Sequence, residues 1–351
     1  MGIFIALIVF SFLIFFHELG HFVVARFFGV KVEVFSIGFG KRLFTKQIGE
    51  TQWSFSAIPL GGYVRMKGQD DSDPNKKSYD EDSYNTKTPL QRILISLAGP
   101  FANFLLAFLL YLTISIVGIP KILTTVSDVN TTHPAYLAGM RSGDTIVSIN
   151  GIKTIYWEEI GKNIKQQPEP LNITIVRKSK LIDLEMTPIA YKTKNRFGTI
   201  RTRYIIGVSP DVNKTKTLYY NLSEGLNYAY KKTLFSAHFI FNNLKKLVMG
   251  EVPLKDLSGP VGMVDMTAKV AKMGMVALLA FAALISVNLG VVNLLPIPAL
   301  DGGHTLFHLY ELITKKPASE EIMWKLTLFG WSILLSLMVL GFYNDINRLL
   351  G

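Results

Sequence analysis

The residues of this chain best equipped for chemistry stand near its beginning, in His17-Glu18-Leu19-Gly20-His21. If Phe12 to Ala25 is helical, His17 and His21 are four apart and lie one turn above each other. Their imidazoles then converge as two ligands of a zinc ion do, with Glu18 beside them to take the proton of a water at the metal. Cysteine is absent from all 351 residues, which confines the ligand set to His, Asp and Glu. Catalytic zinc takes three protein ligands and keeps a fourth position open. No third His or Glu follows on the same helix, so the third ligand must come from a distant part of the chain.

The helix that carries these groups reads as a first membrane span over residues 3–26. The run before His17 is apolar except for Ser11, no basic residue precedes it, and no small-x-small cleavage site closes it. Burying a Glu and two His in lipid without a partner would cost several kcal/mol each, which makes a structural accident of this spacing a poor explanation. Hydrophobic residues make up 49% of the chain and charged ones 18%, a balance that fits a membrane protein with one modest soluble domain. The formal charge of +11 is read as topology and attraction to anionic lipid. Lys and Arg are scattered, with no zinc-finger spacing or aromatic-basic platform, so no nucleic acid partner is expected.

The expected architecture is a polytopic α-helical membrane protein. It has four transmembrane helices, a membrane-associated β-hairpin or small sheet, and one extracytoplasmic domain. Residues 1–117 form the first half of the membrane core, with spans at 3–26 and 93–117. Between them lies a hairpin region over 31–66, where strands at 31–39, 51–58 and 62–66 are separated by a turn at Pro59-Leu60-Gly61-Gly62. Gln69 to Thr88 is polar and contains a proline, and is expected to be mobile. Residues 118–189 form a compact domain. Strands are predicted at 122–129, 145–149, 171–176 and 181–186, short helices at 134–138 and 157–164, and a hairpin turn at Asn150-Gly151. Residues 190–272 read as an extracytoplasmic linker, with a strand at 204–208. Helices over 218–248, broken near Gly225, would lie on the membrane surface or dock on the domain, and His238 there is read as structural. Residues 273–351 complete the core, with spans at 274–295 and 324–341, the latter ending near Gly341.

The best candidate for the third ligand is Asp301, in the stretch 296–304 between prolines and a glycine pair at the end of span three. His304 and His308 are rivals. Lys315 and Lys316, and the basic residues between spans one and two, make both of those loops cytoplasmic, which sets His21 and Asp301 at similar depth. The domain and both chain ends are then outside. Asn293 is placed to donate to a substrate carbonyl or its oxyanion, and Asn103 to serve the same groove from span two. A peptide bond in a membrane helix is internally hydrogen-bonded, so a substrate must unwind before attack. The edge of the hairpin around Gly61, Gly62 and Tyr63 could then accept it as an added strand. The competing expectation is a metal-free scaffold or regulator of other membrane proteases. A transporter is disfavoured, because the four spans lack paired halves.

The chain resembles the bacterial site-2 protease family of intramembrane zinc metallopeptidases, and within it the regulator of sigma-E protease group. The matching stretches are residues 17–21, Gly99-Pro100-Phe101-Ala102-Asn103, the Asn293 to His304 run, Pro59 to Val64 and Ser258 to Gly262. The resemblance implies zinc bound by His17, His21 and Asp301, Glu18 as base, and Asn293 as a substrate-binding residue. It also implies that the domain at about 120–189 is a PDZ domain, with Gly139 to Ile146 and Asn150-Gly151 as its signature. The implied substrates are single-span membrane proteins already shortened by another protease, anti-sigma factors or remnant signal peptides among them. The implied location is the bacterial inner membrane, with the PDZ domain and both termini periplasmic. The best-known members carry two tandem PDZ domains, and this chain has length and signature for one.

Overall fold

The computed structural model describes residues 2–69, 78–164, 169–194 and 200–350. In chain order these form α1 (Gly2–Phe27), β1 (Val32–Ile48), β2 (Thr51–Met66), α2 (Pro89–Val117), β3 (Ile119–Ile122), β4 (Val126–Val129), α3 (Pro134–Leu137), β5 (Thr145–Ile149), β6 (Ile152–Lys153) and α4 (Trp157–Asn163). Then follow β7 (Leu171–Arg177), β8 (Lys180–Met186), β9 (Ile189–Lys194), β10 (Ile200–Ile205), β11 (Val208–Pro210), β12 (Thr215–Leu218), α5 (Leu222–Val248), α6 (Pro260–Lys272), α7 (Met275–Asn293), α8 (Asp301–Thr314) and α9 (Glu320–Leu350). Two compact units result, one from residues 1–114 and 222–351, the other from residues 115–221.

In the first unit α1, α2, α7 and α9 are each long and apolar enough to cross a membrane. Side chains such as Phe4, Ile8 and Val23 on α1, and Phe329, Leu335 and Val339 on α9, stay exposed, which suits hydrocarbon better than water. Helix α9 runs past the expected end at Gly341. That glycine does not stop the helix; a Cβ there would lie 2.8 Å from Gly259 Cα, so its bare backbone seats the segment before α6. Asn344 donates to the carbonyls of Leu254 and Leu257, and Asp345 accepts from the Gly262 amide at 2.7 Å, in the first turn of α6.

Helix α5 is continuous through Gly225, which is buried in it together with Ala229, Thr233 and Ser236. These small residues let α5 approach its neighbours: Tyr111 of α2 and Ser236 share a 3.0 Å hydrogen bond, and α5 packs on α7. The break expected at Gly225 is therefore absent, and α5 belongs to the unit of apolar helices.

The hairpin region contains two long strands instead of three short ones. β2 is unbroken from Thr51 to Met66, and the expected turn at 59–62 is a register shift between the Phe39–Ile58 and Ile37–Gly62 pairs. Val34, Phe35, Ser36 and Ile37 each have two partners, one in 52–55 and one in 62–65, so this part of β1 lies between the two ends of β2. The 62–66 end pairs with β1 alone among the described residues, and so forms an outer strand.

Of the Gln69–Thr88 segment expected to be mobile, residues 70–77 lie outside the described residues. The remainder is anchored. The Lys31 amide donates to Asp82 O and the Tyr84 amide to Lys67 O, both at 2.8 Å, and Ser83 and Tyr84 are buried. Polarity of composition misled here, because the backbone pairs with the start of β1 and the end of β2.

In the second unit β6, β5, β7 and β8 form one sheet in that order. Alternation in β7 buries Leu171, Ile173 and Ile175 against Ile146, Ile149 and Val126. Asn150 and Gly151 have φ of 51° and 78°, as the expected tight turn requires. The strand expected over 122–129 is two strands, and the unit reaches past residue 189. The reason is the same for both: β12 pairs with β3 and β11 with β4.

Replacing Asp345 by Ala removes the carboxylate that satisfies an orphan amide at the start of α6, a loss of about 1–2 kcal/mol. The variant's midpoint in thermal unfolding in detergent should fall, and Asp345→Asn should keep most of the stability. An unchanged midpoint for Asp345→Ala would remove this contact from the account.

Candidate metal centre

His17 and His21 project from α1, as their spacing predicts, and Asp301 opens α8. Their ligand atoms form a small triangle whose Asp301 corner is the carboxylate, one oxygen facing each ring. His17 Nε2 is 3.3 Å from His21 Nε2 and 3.2 Å from Asp301 Oδ2, and His21 Nε2 is 3.4 Å from Asp301 Oδ1. Among the described residues these three are the one His, Asp or Glu group close enough to share a metal ion. Zinc bonds of about 2.0–2.1 Å at the tetrahedral angle set neighbouring ligand atoms about 3.3 Å apart, which is the size of this triangle. Asp301 Oδ2 is buried with no hydrogen bond among the described residues, as a carboxylate oxygen reserved for a cation would be. Two imidazoles and a carboxylate are an ordinary catalytic zinc donor set, and the residues present fit the ion.

The other ring nitrogens are held from behind by α2. Ile95 O accepts from His21 Nδ1 at 2.8 Å, and the Asn103 amide lies 3.0 Å from His17 Nδ1. Both contacts leave Nε2 of each ring for the centre, the usual second-layer arrangement for a ligating histidine. Asn103 is fully buried, and Ser286 of α7 donates to its carbonyl at 2.8 Å. Asn103 was expected in the substrate groove; it turns to His17 instead. Nδ2 of the amide faces Nδ1, and Oδ1 has no hydrogen bond among the described residues. A zinc at Nε2 would put the ring proton on Nδ1, and the amide turned over would present Oδ1 as its acceptor. Gly99, one turn earlier, is where α2 passes closest: a Cβ there would lie 2.7 Å from His21 Cε1 and 2.8 Å from His17 Cε1.

Asp301 is delivered by the turn after α7. Leu300 donates to Ile297 O at 2.8 Å and Gly303 to Leu300 O at 2.9 Å, folding the Pro296–Leu300 stretch over the first turn of α8. A cavity of about 380 Å³ faces the triangle, and Glu18, Asn293, Gly61, Gly62 and Tyr63 all line it. Gly62 brings β2 against the acid: a Cβ there would lie 3.0 Å from Glu18 Cγ. The outer strand of the hairpin is thus one wall of the cavity.

His304 lines the same cavity without joining the triangle, one turn along α8 from Asp301. His308 is further off, hydrogen-bonded to the Tyr84 hydroxyl at 2.8 Å. Burial, with Arg92 and His304 nearby, pushes the His308 ring down to about 3. Sequence reasoning missed the Ile95 carbonyl, which has no side-chain signature, and Gln69 and Tyr84, which line the cavity from a segment read as loop. A tyrosine in that polar run was the available signal.

The family model described as Peptidase family M50 matches residues 5–337. The chain is 44% identical over 344 residues to a Campylobacter jejuni protein provisionally named a zinc metalloprotease, covering 98% of this chain and 93% of the relative. It is 38% identical over 351 residues to a similarly named Helicobacter pylori protein, with 99% of each covered. It is also 31% identical over 421 residues to the regulator of sigma-W protease RasP of Bacillus subtilis, with 98% of this chain and 97% of the relative covered.

Two substitutions in α2 test the support behind the rings. Asn103→Ala should lower zinc affinity about 10- to 100-fold. Gly99→Ala should do so at least about tenfold even though alanine favours a helix by about 1 kcal/mol. Zinc content after dialysis against graded chelator is the readout. Full retention by both variants would mean that α2 does not hold the imidazoles.

Proposed function

The chain belongs to peptidase family M50, the site-2 proteases, and from that premise we propose that it hydrolyses peptide bonds of single-span membrane proteins within their membrane segments. His17, His21 and Asp301 hold zinc in this reading. The observation that carries it is the triangle of ligand atoms at 3.2–3.4 Å, built from helices nearly three hundred residues apart in sequence. A metal-free scaffold does not require a partly buried carboxylate facing two imidazoles whose other nitrogens are already held by α2.

When bound, zinc supplies Lewis acidity to a water and to the scissile carbonyl. Glu18, buried in the cavity wall, takes the proton of that water and passes it to the leaving amine. Asn293, at the end of α7, donates to the substrate carbonyl or its oxyanion. Asn103 and the Ile95 carbonyl keep the rings oriented without touching substrate. The outer end of β2 takes the unwound substrate as a further strand, replacing its lost helical hydrogen bonds. Support for this is the position of Gly61, Gly62, Tyr63 and Val64 on both the outer strand and the cavity wall.

The short-loop charges set the metal centre on the cytoplasmic side of the bilayer, with residues 115–221 and both termini on the periplasmic side of a bacterial inner membrane. The compact unit 115–221 acts as a PDZ domain toward exported tails. Substrates are membrane remnants already shortened by another protease, anti-sigma factors and cut signal peptides being the classes that fit.

The decisive comparison is cleavage of a truncated single-span substrate by the intact protein and by Glu18→Gln. The variant should keep about one zinc per chain and lose at least about a hundredfold in turnover, the span of one general base. Activity surviving in it would transfer the base role elsewhere. Val64→Pro, which removes one backbone amide from the outer strand, should lower turnover of a membrane-helix substrate more than that of a short unstructured peptide. Equal losses on both would rule out strand addition.

A further inference from the structure

A second cavity, of about 250 Å³, adjoins the first and shares Gln69, Tyr84, Ala299 and His304 with it. It lies between α8, α9 and the anchored segment before α2. Phe307, Met323, Trp324 and Trp331 are the large apolar side chains of its wall. Resting on the proteolytic reading above, we propose that this cavity is a specificity pocket for an uncharged aromatic or large aliphatic substrate residue close to the cleaved bond.

Three features select that occupant. The first is size. Pockets for whole small molecules run to about 300–1,000 Å³, while about 150 Å³ is enough to hold benzene, so the space suits a large side chain. The second is charge. Arg92 and Glu311 line the pocket but are paired with each other at 2.6 Å, and Tyr84 and His308 are hydrogen-bonded to each other. Glu320 has an interaction of its own. An incoming Lys would lose water and find Glu311 and Glu320 already engaged, and an Asp would find Arg92 engaged, with only the His304 imidazole at the neck left to meet it. The third is a pair of neutral polar atoms, Gln69 Oε1 and Asn85 Nδ2, both buried and without a hydrogen bond among the described residues. Their side chains lie in the pocket wall and add polarity to it without charge.

The shared wall makes the pocket a continuation of the catalytic cavity. A chain extended along β2 past the metal centre alternates its side chains, so a residue near the scissile bond is aimed into the neighbouring hollow while its backbone stays at the neck between Gln69 and Tyr84.

The test uses the full-length protein in detergent or vesicles and a synthetic single-span Leu/Ala peptide with one position at a time changed to Phe, Asp or Lys. One position beside the cleaved bond should show at least a tenfold higher kcat/KM for Phe than for Asp or Lys. Ala318→Phe, which fills the pocket from its loop side, should reverse the order of Phe and Ala at that position while zinc content is retained. Phe307→Ala should instead favour larger rings there. A parallel arm does not depend on turnover. Glu18→Gln protein should bind the peptide carrying nitrophenylalanine at that position with quenching of Trp fluorescence, and the quenching should shrink in Trp324→Phe. Flat profiles at every position, or profiles unchanged by Ala318→Phe and Phe307→Ala, would overturn the pocket and leave the protease reading intact. Absence of cleavage by the zinc-loaded wild type would fall on the protease reading, and the quenching arm would then decide the pocket: position-specific quenching keeps it, and none overturns it.

Discussion

One carboxylate must meet two imidazoles at a single depth, and most of the first unit can be read as the means of arranging that. His17 and His21 come with a helix, since four residues make one turn. Asp301 comes from the far end of the chain, and only the return of α7 followed by a tight fold into α8 brings it within 3.2–3.4 Å of both rings. Three charged or polar groups left this close in an apolar bundle would be costly without an ion to share. With one, the same closeness becomes the geometry of a coordination site.

Helix α2 is the less visible partner in this arrangement. It contributes no ligand, yet it approaches so closely at Gly99 that a methyl group would press on both rings. Its Ile95 carbonyl and Asn103 amide then take the remaining ring nitrogens. The GPxxN stretch is thereby accounted for: glycine permits the approach, and asparagine one turn on uses it. Rings fixed from behind lose less freedom on binding metal, and water is kept from their rear faces.

The hairpin serves the same centre from the other side. Its long, bent strands would be an aggregation hazard if fully exposed, but the 62–66 end is packed along α1, with Gly62 against Glu18, and its outer edge faces the cavity. An outer strand on one wall and the three metal-ligand side chains on another are the two features on which the proposed capture of an unwound substrate rests. Gln69, just after β2, and Tyr84, in the 78–88 stretch pinned through Asp82 and Tyr84, line both cavities.

Much of this was legible in the sequence, for local reasons. The i, i+4 pair of histidines, the four apolar runs and the Asn-Gly turn are patterns whose physics is contained in a few neighbouring residues, and each is found where expected. Asp301 could be singled out as the candidate third ligand because the chain has no cysteine and because charge topology pointed to one acidic, proline-bounded turn, and the structure brings that residue to both rings. What sequence alone could not decide was partnership over long separations. Asn103 looked like a groove residue because an amide in an apolar span must face something polar, and only packing showed that the something is His17. Gly225 and Gly341 looked like breaks because glycine is a poor helix former, whereas close approach of another backbone turned them into contact points. The polar 78–88 stretch looked free because its composition is hydrophilic, yet its backbone is tied to both strands. Residue types and short spacings determined the chemistry available to this protein. Tertiary structure alone decided which of the polar residues meet, because a contact across hundreds of residues leaves no period in the chain that makes it.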